Sequence, residues 1–225
     1  MQPQRSGGHG INWLLVAAGL GVTAIIAVIA YAVVSANSAP GPGELPGWRK
    51  AELDGGALLP GVYYPPHPGP DGVQGTSDDR QHFANGIKTP ICTADQIAQN
   101  QISNPVCYTS NPPTSGPHAQ SPMPFGVLDN PAPKENLIHN MEHAGVVIWY
   151  NTDNQQVIDA LKKITKDQND RRRLVVMTRY NEMEIDHVAL TSWTRLDKFP
   201  IDQFTEKRVN DFIETHSKRF NPEGF

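Results

Sequence analysis

Two histidines, His139 and His143, stand four residues apart with Glu142 between them in the stretch LIHNMEHAGVVIWY, residues 137–150. The chemistry open to them depends on local structure. In a helix, about 3.6 residues per turn put His139, Glu142 and His143 on one face and swing Met141 away. Read that way, H-x-x-E-H is the inverted form of a zinc-peptidase motif. In an extended chain His139, Met141 and His143 share a face instead, a set suited to a softer ion such as copper.

A third histidine, His118, follows Gly116 and Pro117 in NPPTSGPHAQSPMPFG, where proline stiffens the loop that presents it. His118, His139 and His143 make a three-imidazole set, with Met123 or Met141 as a soft additional ligand and Glu142 as a carboxylate that orients an imidazole. Imidazole with thioether favours copper, while zinc suits the imidazoles alone. A competing reading has the histidines only hydrogen-bonding one another and the nearby loops, in a non-catalytic accessory subunit docked on a larger membrane complex. A metallohydrolase fits least. Its helix would need further turns, whereas Pro133 precedes the motif and a strand signal follows His143 at once. Binding is therefore expected over catalysis. His67, His82, His187 and His216 have no comparable context.

Other residue sets carry weaker signals. Asp71, Asp78 and Asp79 lie in PGPDGVQGTSDDR, where glycines permit tight turns around a hard cation such as calcium, although the acidic ladder of an EF-hand is missing. Cys92 and Cys107 are the only cysteines. In an oxidising compartment they would form a disulfide, and closing a loop of that size stabilises by about 3 kcal/mol in the chain-entropy account. Neither sits in C-x-x-C, and no phosphate-binding glycine loop or G-x-S-x-G elbow occurs in a strand-to-helix setting.

The run T-S-G-P-H (Thr114 to His118), the H-N-x-E-H of His139, Asn140, Glu142 and His143, then Tyr150, and a late W-x-R at Trp193 and Arg195 together resemble a bacterial domain of unknown function, number 3105. That domain occurs behind a single N-terminal membrane span, and the resemblance covers Asn111 to Phe225. Ala144 stands where the family pattern has glycine, with Gly145 next. The resemblance implies the site and the anchor and names no activity.

The elements that must position these residues begin with a membrane anchor. Ile11 to Val34 is a 24-residue run without a charge, long enough to cross a hydrocarbon core of roughly 30 Å as a helix. Trp13 and Tyr31 lie near its ends, at headgroup level. A short tail, one span and a long polar domain are the layout of a signal anchor. The chain is expected in the cytoplasmic membrane with residues 1–10 as tail, 11–34 as transmembrane helix, 35–60 as a Pro/Gly-rich tether and 61–225 as an extracytoplasmic domain. Only Arg5 of the 19 Lys plus Arg precedes Ser38, against 23 Asp plus Glu that all follow it. That balance of −5 excludes a nucleic-acid footprint.

Of 20 prolines, 17 lie between Pro40 and Pro133, a density that forbids helices and central strands there and leaves loops and short extended pieces. Beyond Pro133 the pattern is regular. It reads as a strand at 145–150, a helix at 153–166 capped by Thr152 or Asp153, a strand at 173–180, a turn, a strand at 187–196 and a helix at 202–218. The first two strands, joined through a helix, should be parallel and the third antiparallel. The expected fold class is α+β: a mixed sheet from a β-α-β-β-α core, wrapped by the Pro-rich segment, behind one transmembrane helix.

Overall fold

Strand β5 (Val146–Asn151) is apolar on both faces, and it accordingly lies inside the sheet with Val146 to Trp149 wholly buried. Alternation sends Val147 and Trp149 one way and Val146 and Ile148 the other, so each set enters a different apolar cluster. These statements, like all that follow, concern residues 47–222, which the computed structural model describes. The tail, the expected membrane helix and residues 35–46 of the tether lie outside them. Among the described residues no helix is long and apolar enough to cross a membrane.

In chain order the elements before β5 are α1 (Gly47–Leu53), β1 (Val62–Tyr63), a 3₁₀ turn (Ser77–Arg80), β2 (His82–Phe83), α2 (Ala94–Ala98), β3 (His118–Ala119), β4 (Gly126–Val127) and α3 (Lys134–Glu142). After it come α4 (Gln155–Asp170), β6 (Val175–Arg179), β7 (His187–Ser192), β8 (Arg195–Pro200), a 3₁₀ turn (Ile201–Gln203) and α5 (Glu206–His216). The six-stranded sheet runs β1-β8-β7-β5-β6-β4. β5, β6 and β4 are parallel, and β7, β8 and β1 follow in antiparallel pairs. The expected mixed sheet is present. One face is covered by α4 and α5 through Leu161, Ile164, Val209, Phe212 and Ile213. The other is covered by α3, whose Leu137, Ile138 and Met141 meet Val147, Trp149 and Val176.

Three details differ from expectation, each for a local reason. The strand expected at 187–196 is two strands, because Trp193 and Thr194 turn the chain with Thr194 at φ 65°. The core is thus β-α-β-β-β-α. The cap of α4 is Asn154, whose side chain accepts from the N–H groups of Gln156 and Val157, in place of Thr152 or Asp153. Helices do form in the Pro-rich half, in the stretches that prolines spare: α1 lies between Pro46 and Pro60, the first 3₁₀ turn between Pro70 and Pro90, and α2 between Pro90 and Pro105. α1 therefore gives the end of the supposed tether a fixed place, with Glu52 buried and accepting from the Trp193 indole N–H at 3.0 Å. The two strands that the Pro-rich half contributes to this sheet, β1 and β4, are short, contain no proline themselves and form its two edges.

Candidate metal centre

Helix α3 is buried along its whole length, so its polar residues cannot simply face water. Helical spacing puts Glu135, His139 and Glu142 on a stripe opposite Leu137, Ile138 and Met141. The apolar side packs on the sheet, and the polar side meets the Pro-rich wrap. The helix stops in a Schellman turn: His143 is the cap, Ala144 takes φ 65°, and the Gly145 N–H returns to the Asn140 carbonyl at 2.8 Å. Ala144 thus holds a left-handed conformation that glycine adopts more easily. A side chain at Gly145 would meet the Asn140 carbonyl oxygen at 2.5 Å. Between the helical and extended alternatives, 139–142 is helical with His143 as its cap, and Met141 is fully buried in the apolar cluster.

His118 reaches the helix from β3, which pairs with β2 in parallel, setting His82 opposite His118. The loop before it is pinned by Tyr108, whose hydroxyl donates to the Pro117 carbonyl at 2.8 Å, and a side chain at Gly116, at φ 124°, would be strained and would crowd His67 and Tyr108 at 3.1–3.3 Å. The ligand-type atoms of His82, His118 and His139 all lie within 4.8 Å of one another, and so do those of His139, Glu142 and His143. Sequence reasoning missed His82. His118 and His139 are turned the same way: each donates from Nδ1 to a backbone carbonyl, Gly116 at 2.8 Å and Ala119 at 2.7 Å. Their Nε2 atoms are thereby aimed inward. The His118 and His82 Nε2 atoms lie 2.9 and 3.0 Å from the same Glu142 oxygen, Oε2. His139 and His143 meet Nε2 to Nε2 at 2.8 Å.

Burial alone would raise the Glu142 carboxyl, but hydrogen bonds from His118 and His82, the His118 charge and the Arg80 guanidinium outweigh it and hold the group at about 2. Arg80 lies 3.5 Å from Glu142 Oε1 and stacks over the Trp48 ring at 4.9 Å. His139 is pushed below its ordinary value, first by burial and then by the neighbouring imidazoles, with its bond to the Ala119 carbonyl opposing them. Its lone pair therefore persists to lower pH. Exposure is uneven: His118 is completely buried, whereas 40% of the His82 side chain is accessible, so the cluster opens to solvent on that side.

Met123 is half-buried against the same apolar cluster as Met141, and its backbone N–H and carbonyl are held by the Asn140 side chain. Asp71, Asp78 and Asp79 do come together within 4.8 Å. The loop's own donors already take their oxygens, through the N–H groups of Val73, Asp71 and Gly75 and the Thr76 hydroxyl. Cys92 and Cys107 form a disulfide with S–S 2.07 Å. His67 and His216 are buried on backbone carbonyls, of Cys107 and Pro60 respectively, away from this cluster.

Compared with known proteins, residues 99–224 match the model of a family described as Protein of unknown function (DUF3105). No curated protein and no solved structure matches the chain.

Proposed function

Taking as premise that the chain belongs to this family of unknown function, we propose that it is a membrane-anchored extracytoplasmic domain that holds one transition-metal ion at His82, His118 and His139. Glu142 and His143 complete the donor set. The observation that carries this reading is the convergence of three imidazoles, two of them fixed at Nδ1 by backbone carbonyls so that Nε2 is the ligating atom. His139 has a single inward nitrogen to give, which argues for one ion rather than two. Imidazole and carboxylate donors suit zinc and copper(II) alike. With Met141 in the apolar core, the thioether argument for copper weakens. The proposed anchor is the apolar run Ile11 to Val34, and the disulfide is in keeping with an oxidising compartment.

A hydrolase would need Glu142 as general base. Its carboxylate is instead engaged by two imidazoles and Arg80, which supports binding over turnover. The alternative, a non-catalytic accessory subunit with structural histidines, draws on the same hydrogen bonds, since Glu142 already satisfies His82 and His118. Metal analysis of the full chain in detergent separates them. About one ion of zinc or copper per chain is expected after loading and desalting, and none in the His118→Ala, His139→Ala double variant. A wild-type chain that stays empty would replace the metal reading with the accessory one, and co-purification of a partner in mild detergent would then be expected.

A further inference from the structure

At the other end of α3 lies a cleft of 260 Å³ with a mixed polar and apolar lining that includes Lys88, Lys134, Glu135, Tyr180 and Glu182. It is smaller than the roughly 300–1,000 Å³ of sites for drug-sized ligands. Its position is that of ligand crevices in sheets with parallel strands: beyond the carboxyl end of β6, where Arg179 closes the strand and Tyr180 follows. Glu135 and Glu142 are two helical turns apart, about 10 Å along the axis, so the cleft is separate from the imidazoles.

Glu135 is the unusual group. It is 1% exposed, and its Oε1 accepts the Thr89 N–H at 2.8 Å. Oε2 is buried without a hydrogen bond, a costly state for a carboxylate oxygen. The Lys88 ammonium pairs with it electrostatically at 3.7 Å, beyond hydrogen-bond distance, on a side chain that is 66% accessible. Lys134 approaches Oε1 at 3.7 Å and donates to Glu182 at 3.0 Å. Arg179 is already taken by Asp153 and the Thr152 carbonyl. Two carboxylates and two ammonium groups thus line the cleft, with a carboxylate oxygen in want of an N–H donor.

We infer that this cleft binds a small zwitterion of the free amino-acid class, its ammonium on Glu135 Oε2 and its carboxylate on Lys88 and Lys134. An amine alone would leave the lysines facing nothing new, and an acid alone would leave Oε2 unpaired. Only a ligand carrying both charges satisfies both ends of the cleft.

The test uses the full chain in detergent and a pool of natural free amino acids, screened by saturation-transfer NMR. The amino acid that gives the largest signal is then titrated calorimetrically beside its decarboxylated amine and its deaminated acid. One-to-one binding is expected, with both analogues weaker by at least about tenfold. Lys88→Ala, at an exposed side chain, and Glu135→Gln, which keeps an acceptor for Thr89, should each weaken binding by a similar factor while circular dichroism stays unchanged. The proposal is overturned if no amino acid binds below about 10 mM, if either analogue matches its parent, or if Lys88→Ala binds as the wild type does.

Discussion

Glu142 is the residue on which the imidazoles converge, and Glu142→Gln separates its roles. The amide keeps the shape and one acceptor oxygen but loses the charge that His118, His82 and Arg80 face. Metal affinity should fall about 10- to 100-fold while the fold survives, read by competition with a chelating dye. His216 carries a second residue-scale prediction. Burial, helped by the Arg195 charge and opposed by the Pro60 hydrogen bond, lowers it from 6.5 to about 4. The neutral imidazole is therefore the form the fold prefers. Its contribution is complete above pH 6.5 and is lost as pH falls through about 4, a change of roughly 3 kcal/mol. Denaturant unfolding at a series of pH values should show that slope in the wild type and a shallower one in His216→Gln. Of the residues that meet in the candidate cluster, His118, His139, His143 and Glu142 were legible because a Gly-Pro turn and helical spacing are local signals. His82 was not. It meets Glu142 across a separation of 60 residues through a two-residue parallel pairing, and nothing in its own neighbourhood encodes that.

Among the elements, α3 and its C-terminal turn decide how well the donors are held. Gly145→Ala would drive a methyl group into the Asn140 carbonyl, and a cost of about 1–3 kcal/mol is expected. Ala144→Gly removes a left-handed alanine and should be neutral or stabilising by up to about 1 kcal/mol, the relief of strain being partly offset by a freer unfolded chain. Thermal unfolding of the two variants should bracket the wild type. The periodic elements after Pro133 could be read from apolar spacing alone, as the burial of Leu161, Ile164, Val209, Phe212 and Ile213 bears out. The break between β7 and β8 could not. The run HVALTSWTRL contains no glycine, proline, asparagine or aspartate, and a β-branched residue, Thr194, takes the left-handed position.

At the scale of the molecule, the regular half and the Pro-rich half are interdependent. The segment matching the family begins at residue 99, so β1, α1, His82 and Arg80 lie before it. Those earlier residues complete an edge of the sheet and the open side of the imidazole cluster. The Cys92–Cys107 disulfide closes the loop just ahead of Tyr108, which pins the His118 loop. Replacing both cysteines by alanine should lower unfolding stability by about 3 kcal/mol, measured by denaturant titration. The proposed anchor adds a prediction at the same scale. The full chain should sediment with membranes and need detergent for release, whereas a chain beginning at Pro46, the start of the compact unit, should remain in the supernatant.

The parallel pairing of His82 with His118 also bears on the order of events in time. His82, His118 and His139 emerge from synthesis one after another, and none is a sequence neighbour of the next. The polar stripe of α3 meets β2 and β3 only across long sequence separations, and such contacts reward the chain only once the entropy of closing their loops has been offset. Of the donors, only His139 and His143 are brought near each other by local helix spacing alone. On the proposed metal reading, tight capture would mark a chain whose folding is finished, and an ion binding only this state would hold it there: at one hundred times its dissociation constant, it would add about 2.7 kcal/mol against unfolding.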